Sequence, residues 1–110
     1  MAESFKYSQA QGTSSTSTYT TVYSTPAATE AVVSSLVICN ASSSDITVRM
    51  GLDDTEGTPS SSEFLVYDAT IAGNDTVSLT LGICMDAEKY IRASSSSSAC
   101  VFSAFVSEIS

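Results

Sequence analysis

The sequence predicts an all-β domain, an antiparallel β-sandwich of seven to eight strands. Three observations carry that expectation. Apolar residues recur at every second position in segment after segment, the period of a strand with one covered and one wet face. These segments are short and are separated by turns rich in Gly, Pro, Asn, Asp and Ser. No stretch holds a helical period, and about a third of the residues are Ser or Thr interleaved with Val, Ile, Leu, Tyr and Phe, as a solvated pleated surface requires. Jelly-roll and immunoglobulin-like connectivity are both open. A chain of 110 residues is one domain with a real core. Residues 16–110 are expected to form it, behind an N-terminal arm of residues 1–15.

The strands are read around Ala31–Ala41, AVVSSLVICNA, the longest apolar run. Val32, Leu36 and Ile38 fall on one side, and Ala31, Val33, Val37 and Cys39 on the other. Both sides are apolar, so this strand is expected to be central and buried on two faces. Ahead of it, the arm is polar apart from Phe5 and Tyr7. Thr16–Thr25 alternates, with Tyr19, Thr21 and Tyr23 sharing a face, and Pro26 stops it. Its modest hydrophobicity places it near a sheet edge.

After the central run, Ile46–Leu52 turns Ile46, Val48, Met50 and Leu52 inward and Arg49 to water. The short Ala41–Asp45 link makes it the hairpin partner of the central strand. Asp53–Ser62 is the main loop. Glu63–Ile71 sets Leu65, Tyr67, Ala69 and Ile71 opposite Phe64 and Val66, and Thr76–Ile83 turns Val77, Leu79, Leu81 and Ile83 inward. Lys89–Ala93 is a short strand and Ser94–Ser98 a flexible turn. Cys100–Ile109 closes the chain, with Phe102, Ala104 and Val106 on one side and Val101, Phe105 and Ile109 on the other.

Charge and chemistry narrow the function. Twelve acids against four bases give a net charge of -8. The bases Lys6, Arg49, Lys89 and Arg92 are scattered, so neither nucleic acid nor an anionic membrane is an expected partner. The N-terminus has no apolar signal segment, which predicts synthesis in the cytoplasm without secretion. With no histidine there is no catalytic triad, and no glycine loop cradles a phosphate. No enzyme activity, no cofactor and no metal are expected. Asp53, Asp54 and Glu56 are oxygen ligands of the kind calcium takes, but their spacing is not that of a calcium loop. The loop reads as a solvated acidic segment and as a place for partner contact. The sequons at Asn40 and Asn74 read as turn asparagines. Cys39 reads as a small buried hydrophobe, while Cys84 and Cys100, near strand ends, are left open as a pair.

The stretch Thr20–Pro26, TTVYSTP, followed by Ala31–Asn40, AVVSSLVICN, resembles small virion proteins of tailed bacteriophages, marine and cyanobacterial phages in particular. Tyr67-Asp68, then IAGNDT at Ile71–Thr76, LTLGI at Leu79–Ile83 and Phe102–Glu108 continue the resemblance in order, over about residues 18 to 109. The acidic loop and the five-serine run depart from it. The resemblance implies a β-sandwich in the virion, assembled after synthesis in the host cytoplasm, with no catalytic residues. Its partners would be the major capsid protein or other virion proteins, in a capsid decoration or cement role. The alternative is a tail, baseplate or fibre module, with carbohydrate as a further ligand that exposed tyrosines could serve. Self-association into a homo-oligomer is expected. The contact residues expected from the sequence are Phe5 and Tyr7 of the arm, Tyr19 and Tyr23 of the edge strand, and Phe105 of the last strand.

Overall fold

The computed structural model describes residues 3–110, except the side chain of Leu81, so the inward placement expected of that residue lies outside the described residues. Among the described residues eight strands form: β1 (Glu3–Gln11), β2 (Thr20–Ser24), β3 (Glu30–Asn40), β4 (Ile46–Asp53), β5 (Phe64–Ile71), β6 (Thr76–Met85), β7 (Tyr90–Ser95) and β8 (Cys100–Ile109). They make two four-stranded sheets, ordered β1-β8-β3-β6 and β2-β7-β4-β5, and every pairing is antiparallel. The chain crosses between sheets at almost every connection. Only β4 and β5 are neighbours both in sequence and in a sheet. The expected hairpin of the central strand with Ile46–Leu52 therefore does not form. The Ala41–Asp45 link instead carries the chain from one sheet to the other.

Asn40 explains that crossing. Its side chain is 1% exposed, and its amide donates to the carbonyls of Ser44 (2.8 Å), Ile71 and Ala72 (both 3.0 Å). Its Oδ1 accepts from the backbone N–H (3.0 Å) and hydroxyl (2.9 Å) of Ser42. A side chain that satisfies several backbone groups where two loops meet removes the need for ladder pairing there. Asn40 is thus a turn asparagine, as expected, and a buried one.

Both sheets contribute to one core. Leu36, Ile38, Phe102 and Ala104 come from the first sheet, and Val22, Val48, Met50 and Ile91 from the second, all at 1% exposure or less. Each large side chain so buried contributes about 1.5–3 kcal/mol.

Bulges correct the period-2 reading in three strands. In β3 the pairing shifts between Val33 and Ser35 against both neighbours. Ala31 and Val33 point inward before the bulge, and Leu36, Ile38 and Asn40 after it. One face is buried, and the other carries exposed Val32 and half-exposed Val37 and Cys39. The strand is central as expected, but it is not covered on both sides: the apparent second apolar face is one face read across a change of phase. In β2 a shift between Thr21 and Tyr23 sends both Val22 and Tyr23 inward. In β5 the register shift between Val48 and Met50 leaves an extra residue near Asp68, which has φ 53°. Leu65, Tyr67 and Asp68 are exposed there, while Val66 and Ala69 pack against the core.

The N-terminal segment also differs from expectation. Its described part is not a free arm: β1 pairs with β8 along its whole length, from Glu3↔Ile109 to Gln11↔Val101. β8 is therefore an inner strand, between β1 and β3.

The serine run begins inside β7 rather than as a flexible turn. Ser94 and Ser95 are fully buried. The Ser94 hydroxyl donates to the Thr16 carbonyl (2.9 Å); that of Ser95 bonds the Thr13 carbonyl (3.0 Å) and accepts from the Thr13 N–H (2.9 Å). These small hydroxyls tie down the β1–β2 link.

Candidate interaction surface

The two sheets present different outer faces. That of β2-β7-β4-β5 is strapped. Arg92 donates to the carbonyls of Gly57 (2.9 Å) and Tyr19 (3.2 Å) and to the Thr21 hydroxyl (2.6 Å). Arg49 forks onto Asp68 (2.6 and 3.3 Å), lies 4.4 Å from the centre of the Tyr67 ring and reaches the Thr16 carbonyl (3.4 Å). Arg49 lies on the outer side of β4, as the alternation suggests, and is half-buried there by this network. Pro59 is buried over Gly51, where an added Cβ would come within 2.9 Å of the Pro59 ring. The acidic loop is folded back onto its own sheet. Glu56 accepts from the Thr21 hydroxyl (3.0 Å), Asp54 meets Lys89 (3.3 Å) and Asp53 caps the Thr55 N–H (3.3 Å). Among the described residues no three Cys, Asp or Glu side chains are grouped to hold a metal ion.

The outer face of β1-β8-β3-β6 carries no such strap. Pairing register sets its rows. Glu3, Ile109 and Glu30 form the first. Next come Phe5, Ser107, Val32 and Cys84, then Tyr7, Phe105, Ser35 and Thr80. The last two are Gln9, Ser103, Val37 and Ser78, and Gln11, Val101, Cys39 and Thr76. Phe5 is 81% exposed, Tyr7 68%, Phe105 41% and Val32 38%. The Tyr7 and Phe105 rings are tilted neighbours with centroids 6.5 Å apart. Three aromatic side chains of about 150–250 Å² each, exposed to this degree, leave roughly 400 Å² of ring surface in water. That is already the size of the largest patch on many monomers. Only the first row is charged.

β1 is held to the body by a network centred on buried Glu108. Glu108 of β8 is 6% exposed; its Oε1 meets the Lys6 ammonium (2.9 Å) and its Oε2 accepts from the Tyr23 hydroxyl (2.5 Å). Lys6 and the Tyr23 hydroxyl hold the Glu108 carboxyl below its usual range against the opposing effect of burial. Burial, then the Glu108 carboxylate, pushes the Tyr23 phenol far above its usual value. Gln9 adds a bond to the Ser103 hydroxyl (3.0 Å), and the Ser107 hydroxyl donates to Glu3 (3.0 Å).

The expected contact residues therefore separate. Phe5, Tyr7 and Phe105 converge on one face. Tyr19 is half-buried on the opposite side of the molecule, its ring 6.4 Å from Phe64, which meets Tyr67 edge-on at 4.8 Å. Tyr23 is 6% exposed and belongs to the core, because the β2 bulge turns it inward; its place in a surface contact is corrected. Val32, Val37 and Val101 belong to the exposed face and were not singled out, although their alternation with Val33, Ile38 and Phe102 was visible.

The cysteines are all free: Cys84 exposed, Cys39 half-buried and Cys100 buried. Cys84 pairs opposite Val32 and Cys100 opposite Asn40, near opposite ends of β3 and roughly 25 Å apart at a strand's rise. They cannot bridge. Burial, reinforced by Cys39, pushes the Cys100 thiol up to about 11.

Compared with protein-family models, with curated proteins and with solved structures, the chain matches none of them.

Proposed function

We infer that this chain is a non-enzymatic structural protein of a virus particle, a capsid decoration or cement protein that binds in many copies through protein–protein contacts. The observation that carries the reading is the strand order. Sheets ordered β1-β8-β3-β6 and β2-β7-β4-β5, sharing one core, support reading the fold as a jelly-roll sandwich. Viral capsid domains use that architecture, and so do lectins. Fold alone does not assign a role. The exposed Phe5–Tyr7–Phe105 face supports assembly over catalysis, as does the sequence resemblance to phage virion proteins. Such a face gives a weak single contact that an array of copies multiplies. In this reading the partners are the major capsid protein or other virion proteins.

The aromatic group of Tyr19, Phe64 and Tyr67 favours a second reading, a tail, baseplate or fibre module that touches carbohydrate. Antibody against the recombinant chain, applied to purified particles from the source culture, separates the two. Even labelling of capsids is expected. Label confined to tails supports the second reading, and particles without the protein refute both.

A further inference from the structure

Resting on the assembly reading, we propose that the partner of the β1-β8-β3-β6 face is a second copy of this chain, docked face to face with its strands reversed. Charge selects the occupant. Two chains of net charge -8 repel wherever their acidic surfaces meet. Within its strands this face is neutral except for Glu3 and Glu30, which share one end row; Asp86 and Asp75 lie in the turns at the two ends of β6, at its margin. Two copies can therefore approach here without opposing like charges, provided the charged ends lie apart.

A two-fold axis along the Tyr7–Phe105–Ser35–Thr80 row meets that condition. It sets the Glu3–Glu30 end of one copy over the Gln11–Val101–Cys39 end of the other, where β1, β8 and β3 carry no charge and Asp75 stands only at the β6 corner. It also places Tyr7 and Phe105 against their own mates and Val32 over the partner's Val37. Such an interface is self-complementary, as a two-fold contact requires. A basic partner would gain nothing from a face with its charges confined to one edge.

The area is sufficient. Strands of about nine residues at about 3.4 Å rise, four of them about 4.8 Å apart, span roughly 30 by 19 Å. Side-chain relief brings that near the roughly 800 Å² per partner of a standard interface. The aromatic pair at its centre supplies the anchors.

Sedimentation equilibrium of the full chain under reducing conditions tests the proposal. A monomer–dimer equilibrium is expected that tightens from about 20 mM to about 500 mM NaCl, because salt screens the repulsion between the two acidic bodies. Phe105→Glu should raise the dimer dissociation constant about 100-fold or more. Tyr67→Glu, on the opposite sheet, should leave it unchanged, and circular dichroism should show both variants folded. If Phe105→Glu does not fold, Tyr7→Glu on the edge strand replaces it. Geometry is read separately: with Cys39 and Cys84 changed to serine, Tyr7→Cys should oxidise to an interchain disulfide more readily than Phe5→Cys. A chain that stays monomeric at millimolar concentration overturns the proposal. So does a dimer that loosens with salt, one indifferent to both glutamate substitutions, or one cross-linked preferentially through Phe5→Cys. A monomer found on labelled capsids leaves the virion role standing without this contact. A dimer absent from particles leaves the contact standing without that role.

Discussion

The Glu108 network should control whether β1, and with it Phe5 and Tyr7, stays in place. Glu108→Ala removes a carboxylate that is 6% exposed and bonds Tyr23 and Lys6. The Tyr23 hydroxyl is left buried without a partner, which costs about 1–3 kcal/mol. Lys6 has a side chain 54% exposed, so losing its pair costs only about 0–1 kcal/mol. The sum is roughly 1–4 kcal/mol, or about 4–16 °C in Tm for a domain of this size. Lys6→Met should be the mildest change in the network. Acid should act through the same group. The folded Glu108 carboxyl lies below its ordinary value of 4.5, so its contribution is fully present above that pH and is lost as pH falls through the folded value. Thermal unfolding followed by circular dichroism at pH 7 and pH 3 measures both effects. The wild-type chain should lose more stability between these pH values than Glu108→Ala does. A Tm for Glu108→Ala within about 2 °C of wild type at pH 7, or an undiminished acid loss in that variant, would refute the reasoning.

Other expectations follow from single sites. Asn40→Asp replaces a donor facing three carbonyls with a buried carboxylate and should cost about 3–5 kcal/mol by urea unfolding. Gly82→Ala meets nothing within 4 Å and should be neutral or stabilise by up to about 1 kcal/mol, whereas Gly73→Ala drives a Cβ into the Ser43 carbonyl and should destabilise by more than about 2 kcal/mol. At pH 8 a maleimide should modify exposed Cys84 quickly and leave Cys100 untouched until the chain unfolds, as stopped-flow labelling with mass mapping would register.

Alternation was enough to locate seven strands and to place Phe102, Val48 and Ile46 inside, because side-chain direction at period 2 is a local property. It failed where the backbone leaves that period. Ser34 breaks the phase of β3, and no residue type marks it; the two half-patterns on either side then read as two apolar faces. The same failure put Tyr23 on the surface. Long-range order was not legible either. Five residues between β3 and β4 suit a hairpin or a crossing equally well, and the choice lies with Asn40, whose acceptors at Ile71 and Ala72 are distant in sequence. The serines of β7 looked like linker because composition reports polarity, whereas their partners Thr13 and Thr16 are brought to them only by the fold.

The division of labour between the two sheets bears on why the exposed face is where it is. Arg49 and Arg92 are two of the four cations, and both are spent strapping the β1–β2 link and the acidic loop over β4 and β7. That places backbone carbonyls, carboxylates and their counter-charges together on one side. A third cation, Lys6, is turned toward Glu108 beneath β1 and neutralises that buried acid of the opposite sheet. Beyond the Glu3–Glu30 end row, the outer rows of that sheet are left with side chains that neither need nor offer a charge, Gln, Ser and Thr among them, around Phe5, Tyr7 and Phe105. The part of the face beyond that end row gives up little on leaving water, since desolvating neutral side chains costs far less than desolvating ions. The burial of its rings then counts almost in full toward contact, and for this reason the proposed docking rests on the first sheet and not on the more aromatic-looking edge at Tyr67.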